Sequence, residues 1–85
     1  MRYEIKKTNN YRYQYNKLAL KHRRFIDEAV EILKETPDEF QGKITALARK
    51  KDGRLYRFRV PGIHVLYIMH EEEPIVTMTQ IKVLR

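Results

Sequence analysis

The spacing of polar and apolar residues changes several times along the chain, and each change predicts an element. Residues 2–8, RYEIKKT, alternate, with Tyr3, Ile5 and Lys7 on one side, which predicts a short strand ended by Asn9-Asn10 as a turn or helix start. From Tyr11 to about Glu35 the spacing becomes helical. Tyr11, Tyr15, Leu18 and His22 share one stripe, and Phe25, Ile26, Ala29, Val30, Ile32 and Leu33 make a wider one. Asp27, Glu28, Glu31, Lys34 and Glu35 take the polar side. Thr36-Pro37 ends this region, because the residue before a proline avoids the α conformation. A span of that length is one long helix or a helical hairpin. The run Lys21-His22-Arg23-Arg24 interrupts the stripe and points to a hairpin broken near Ala19–His22.

After Pro37 the segment DEFQG reads as a connector, with Phe40 placed to pin it to the core. Residues 43–48, KITALA, form a strand or an extended segment, and RKKDG (49–53) reads as a turn through Asp52-Gly53. Arg54–Val60 then alternates, with Tyr56, Phe58 and Val60 on one face and Arg57 and Arg59 on the other. Pro61-Gly62 is a second tight turn. His64–Met69 is apolar on both sides, the pattern of a central strand covered on both faces. HEEEP (70–74) is a third turn, and Ile75–Leu84 is the last strand. Helices followed by a meander imply an α+β domain over residues 1–85, its N-terminal strand and helical hairpin packed on one face of a mostly antiparallel, four-stranded sheet.

Composition narrows the function. A chain of 85 residues with 42% hydrophobic residues holds one modest core. The absence of cysteine removes disulfides and thiolate chemistry and fits a reducing cytosol. The stretch MRYEIKKTNN lacks the apolar run of a signal peptide, so the expected location is the cytoplasm, away from any membrane. A net charge of +7 favours a polyanionic partner. There is no serine, P-loop or GxGxxG, and His22, His64 and His70 match no zinc spacing, so neither a metal nor a cofactor is expected.

The basic residues remain. Arg57 and Arg59 lie two apart on a strand, which puts their side chains on one face about 7 Å apart. The Pro61-Gly62 turn starts the partner strand with His64 near them, and Lys82 or Arg85 from the last strand joins the same patch. Two readings stand at this point: arginines that keep an open sheet face solvated, or an anion site in which arginines hold phosphate and His64 moves a proton. Lys21, Arg23 and Arg24, with Arg49, Lys50, Lys51 and Arg54, are further residues able to follow a phosphate backbone.

"FIDEAVEILKETP" followed by "LYRFRVPGIHVLYIMHEEEPIVTMTQI" resembles the RelE/ParE toxin superfamily of toxin–antitoxin modules, over roughly residues 25–82. The resemblance rests on a helix ending in proline, a hairpin with paired arginines and a Gly turn, an acidic turn and a final strand. It implies a helical hairpin on a curved sheet and a cognate acidic antitoxin as partner. The RelE-like branch implies a metal-independent, ribosome-dependent mRNA endoribonuclease that inhibits translation, with the ribosome and mRNA as partners. Arg57, Arg59 and His64 then take catalytic positions, His64 standing where the family has an arginine. Lys82 or Arg85 takes the basic position that closes the last strand, with Arg85 counted among the catalytic residues and Lys82 among those that bind RNA. Family members continue beyond the point matched by Leu84-Arg85 into a basic segment with a terminal catalytic residue, and Tyr67 matches a strand tyrosine of the core. The ParE-like branch implies DNA gyrase as the target, and a degenerate copy implies antitoxin or nucleic-acid binding alone.

Overall fold

Thr8 decides where the first strand stops. In the computed structural model of the protein, residues 2–35 and 43–84 are described; Thr36-Pro37, Phe40 and Arg85 lie outside them. Strand β1 (Glu4–Lys7) gives way at Thr8, whose side-chain oxygen accepts from the Tyr11 N–H at 3.1 Å and N-caps helix α1 (Asn9–Asn16). The Asn9-Asn10 pair therefore opens the helix. The hairpin break falls at residues 17–19, slightly before the predicted position. Lys17 and Leu18 close α1 by bonding back to Gln14 and Tyr15, and Leu18 is buried there. The basic run consequently lies in the first turns of α2 (Leu20–Leu33). Tyr15 donates its hydroxyl to the Asp27 carboxylate, 2.9 and 3.0 Å from its two oxygens, and stacks on Tyr11. These contacts clamp one helix to the other. The Tyr15 hydroxyl is correspondingly held above its ordinary pKa, first by burial and then by Asp27.

The remaining strands are β2 (Ile44–Lys50), β3 (Gly53–Val60), β4 (Ile63–His70) and β5 (Ile75–Val83), and the sheet runs β1-β5-β4-β3-β2. β2 to β5 form the expected antiparallel meander of four strands, and β1 joins its edge parallel to β5. Period-2 alternation sends Tyr56, Phe58, Val60, Ile63, Val65 and Tyr67 to one face, where they form a single core with Tyr11, Ile26, Ala29, Val30 and Leu33 from the helices. Full burial of each large apolar side chain contributes about 1.5–3 kcal/mol. The opposite face carries Leu55, Arg57, Arg59, His64, Leu66 and Ile68. Among the described residues, no element covers the second side of β4, whose side chains are only half-buried where the pattern predicts a strand covered on both faces. Leu66 and Ile68 are half-buried among neighbouring strand side chains. No described helix is long and apolar enough to cross a membrane.

The turn predicted at RKKDG is tighter than the sequence implies. Arg49 and Lys50 continue β2, Lys51 and Asp52 make the connection, and Gly53 already pairs with both Lys50 and His70. Gly53 is needed for close approach: a Cβ there would strike the Met69 carbonyl group and sit 2.9 Å from the His70 Cα. At the other end of β3, Gly62 has φ of 76°, beyond Pro61, the residue pair that a type II turn asks for. We expect Gly53→Ala to lower stability by about 1–3 kcal/mol in urea unfolding, because backbone rather than a flexible side chain must move.

Candidate catalytic and anion-binding face

The two-residue turn after Val60 fixes which side chains meet on the open face. Val60 pairs with Ile63, so Arg59 pairs with His64 and Arg57 with Leu66. On the other side of β4, His64 pairs with Lys82 and Leu66 with Gln80. Directly opposed residues stand about 4.5–5.5 Å apart at Cβ. One imidazole thus lies between a guanidinium and an ammonium on neighbouring strands, with Arg57 one step along the same face.

His64 and Arg57 are half-buried, whereas Arg59 and Lys82 are exposed. Burial lowers the His64 pKa first, and the charges of Arg57, Arg59 and Lys82 lower it further. The imidazole is therefore held neutral near neutral pH, the form that accepts a proton. Arginine stays charged throughout and offers phosphate paired donors. The arrangement can bind an anion across β3 and β5 and take a proton from a hydroxyl placed above β4. An open face of this kind suits an extended strand of polyanion.

The other predicted basic residues divide between the two ends of the sheet. His22 lies beside Gly62, its Nε2 3.5 Å from where a Cβ of that residue would be, so the start of α2 stands at the His64 end. Lys21 and Arg24 are exposed there. Arg23 is tied inward, donating to the Asn16 carbonyl at 2.7 Å with its guanidinium over the Tyr15 ring. Arg49, Lys50, Lys51 and Arg54 occupy the opposite end, near the acidic turn Glu71–Glu73, and Arg49 is paired with Glu71. They are not brought together with His64. Arg85 lies outside the described residues. His70 is the last residue of β4 and bonds Thr77 Oγ1 at 2.9 Å, far along the strand from His64.

Sequence reading missed Gln80 as a member of this face. The signal is the apolar spacing 76, 78, 81, which departs from strict alternation by one residue and marks a bulge at Thr79.

No protein-family model and no curated protein sequence matches the chain. Solved structures do. The archaeal RelE–RelB complex from Pyrococcus horikoshii matches with a TM-score of 0.86 over 98% of this chain and 96% of that one, at 23% identity. The chain has the RelE toxin fold. The isolated RelE toxin of E. coli matches with a TM-score of 0.78 at 15% identity, over 98% of this chain and 85% of that one. The toxin–antitoxin complex RelBE2 from Mycobacterium tuberculosis gives 0.70 at 21%, over 98% and 99%. Within this RelE fold, the open face just described is the sheet surface opposite the helical hairpin.

The electrostatics can be checked without knowing the substrate. His64 should titrate below the ordinary imidazole value of about 6.5 by NMR. The folded chain then binds fewer protons than the unfolded chain just below that value. His64 therefore adds stability that rises with pH through this window and is lost on acidification. Lys82→Ala and Arg57→Ala should each raise its pKa; unchanged titration in both would show that these charges do not reach it.

Proposed function

We propose that this chain is the toxin of a type II toxin–antitoxin pair, acting in the cytoplasm as a ribosome-dependent mRNA endoribonuclease that inhibits translation. The observation that carries the reading is a single neutral-leaning imidazole, His64, set between Arg59 and Lys82 with Arg57 alongside. The likeness to RelE toxins and RelE–RelB complexes supports the toxin reading and an antitoxin as partner.

The chemistry follows from the residues. His64 takes the proton of a ribose 2′-hydroxyl, and the resulting oxygen attacks the adjacent phosphorus. Arg57 and Arg59 bear the negative charge that builds on the phosphorane oxygens. The bond to the 5′-oxygen then breaks, leaving a 2′,3′-cyclic phosphate on one fragment and a 5′-hydroxyl on the other. Lys82, opposite His64 on β5, donates a proton to the leaving oxygen. The step is balanced, since one proton is taken and one returned.

The start of α2 favours a polyanionic partner independently. Lys21, His22, Arg23 and Arg24 crowd a helix N-terminus that has neither an acidic residue in its first turn nor a side-chain cap. Cations at that end oppose the helix dipole by about 0.3–1 kcal/mol each. RNA phosphate at this end relieves the mismatch. An acidic antitoxin would compete for the same basic surface.

Inducing the chain in cells and mapping mRNA 5′ ends tests the reading. Cuts at codons should appear and should fall by about 10²–10⁴-fold in His64→Ala, the range for loss of a general base. Arg59→Ala should act in the same direction. Growth arrest with a DNA-damage response and intact mRNA would instead show a gyrase-type target, and harmless expression would show a binding protein without activity.

A further inference from the structure

Strand β5 changes face partway along its length. Val76 and Met78 are buried in the core, with Thr77 on the open side; beyond Thr79, Ile81 is buried while Gln80 and Lys82 take the open side. Thr79 is the inserted residue: Tyr67 pairs with Met78 and Leu66 with Gln80, which leaves Thr79 outside the register. Strict alternation without this insertion would turn Lys82 toward the helices and away from His64.

The bulge is held from the helical side. β1 ends at Lys7, so among the described residues no strand pairs with β5 beyond Met78 on that edge. Polar groups around α1 take its place. Thr8 N–H donates to the Met78 carbonyl at 3.0 Å, and the Thr8 hydroxyl donates to the Thr79 carbonyl at 3.1 Å. The Asn10 amide reaches the same carbonyl at 3.4 Å. The Gln14 Oε1 accepts from the Ile81 N–H at 2.7 Å. From within the sheet, the Thr79 hydroxyl donates to the Leu66 carbonyl at 3.1 Å. Gln14 thus bonds the first core residue after the bulge, next to Lys82 in the chain.

We infer that Gln14 is a positioning residue for the open face, its side-chain carbonyl locking the Ile81 N–H so that the β5 bulge keeps Lys82 opposite His64. Calling that face a ribonuclease site rests on the proposed function; the positioning itself does not. Removing the acceptor frees a part-buried N–H that no strand among the described residues pairs with, and the β5 segment is then released to slip.

The readout is the His64 titration in the purified chain. His64 is faced by Arg57 and Arg59 from β3 and by Lys82 from β5. In Gln14→Met, which keeps length and loses the acceptor, the His64 pKa should rise toward the value seen in Lys82→Ala. Gln14→Glu, which keeps an acceptor oxygen, should leave the Ile81 amide as protected from exchange as in the unaltered chain; exchange as fast as in Gln14→Met would overturn the inference. The double variant Gln14→Met with Lys82→Ala should match Lys82→Ala alone. A folded Gln14→Met with unaltered His64 titration would overturn the inference. Amide exchange of Ile81 in the unaltered chain judges it even where Gln14→Met fails to fold: protection equal to that of neighbouring ladder amides is expected, and exchange as fast as an unbonded amide would overturn it. Failure of the unaltered chain to cleave mRNA would defeat the ribonuclease reading alone and leave both measurements in force.

Discussion

Two residues connect β3 to β4, and a connection that short permits one register. Pro61 presets its own backbone, Gly62 accepts the positive φ, and Val60 is left opposite Ile63. A slip by one residue would turn one strand over against the other, sending either Phe58 and Val60 or Ile63 and Val65 toward water and either Arg59 or His64 into the core. Burial of about 1.5–3 kcal/mol per large apolar side chain forbids it. The pairing of Arg59 with His64 is therefore a by-product of core packing on the other side of the sheet. The open face inherits its precision from the hydrophobic one.

Collecting cations on that face works against stability. Two like charges about 6 Å apart repel by roughly 0.7 kcal/mol even in water-like surroundings. His64 relieves part of this by staying neutral, which is also the state that makes it a proton acceptor. The start of α2 carries a second unfavourable concentration of charge, at the same end of the sheet. Both features make sense for a surface that meets phosphate, where each cation gains a counter-charge and the repulsion becomes attraction. The acidic turn Glu71–Glu73 is kept at the far end, where it neutralises Arg49 and stays away from the face.

Much of this was legible from residue order. The alternation of Arg54–Val60 and the Pro61-Gly62 turn identified the core face, the open face and the company of Arg57, Arg59 and His64. The helical stripe of residues 25–33 located α2, and the resemblance to RelE-like toxins agreed with the fold. Other features were hidden because they depend on contacts distant in sequence. Gly53 reads as a turn glycine until the backbone of Met69 and His70 is seen against it. His70 reads as a turn residue but ends a strand and bonds Thr77. Lys82 was a candidate without a mechanism, since its face depends on the Thr79 bulge and on groups some 70 residues earlier in the chain, Thr8 and Gln14. The basic residues of 49–54 looked equivalent to those of 21–24, and only the sheet topology separates them.

The central claim is that His64 activates a ribose 2′-hydroxyl on a strand held by Arg57 and Arg59. The most direct measurement uses purified protein, ribosomes programmed with a short message, and the same message carrying a single 2′-deoxy nucleotide at the cleaved position. The account predicts cleavage of the all-ribose message to a 2′,3′-cyclic phosphate and a 5′-hydroxyl, and none at the deoxy position. Equal cleavage of both messages, or cleavage of neither, would contradict it.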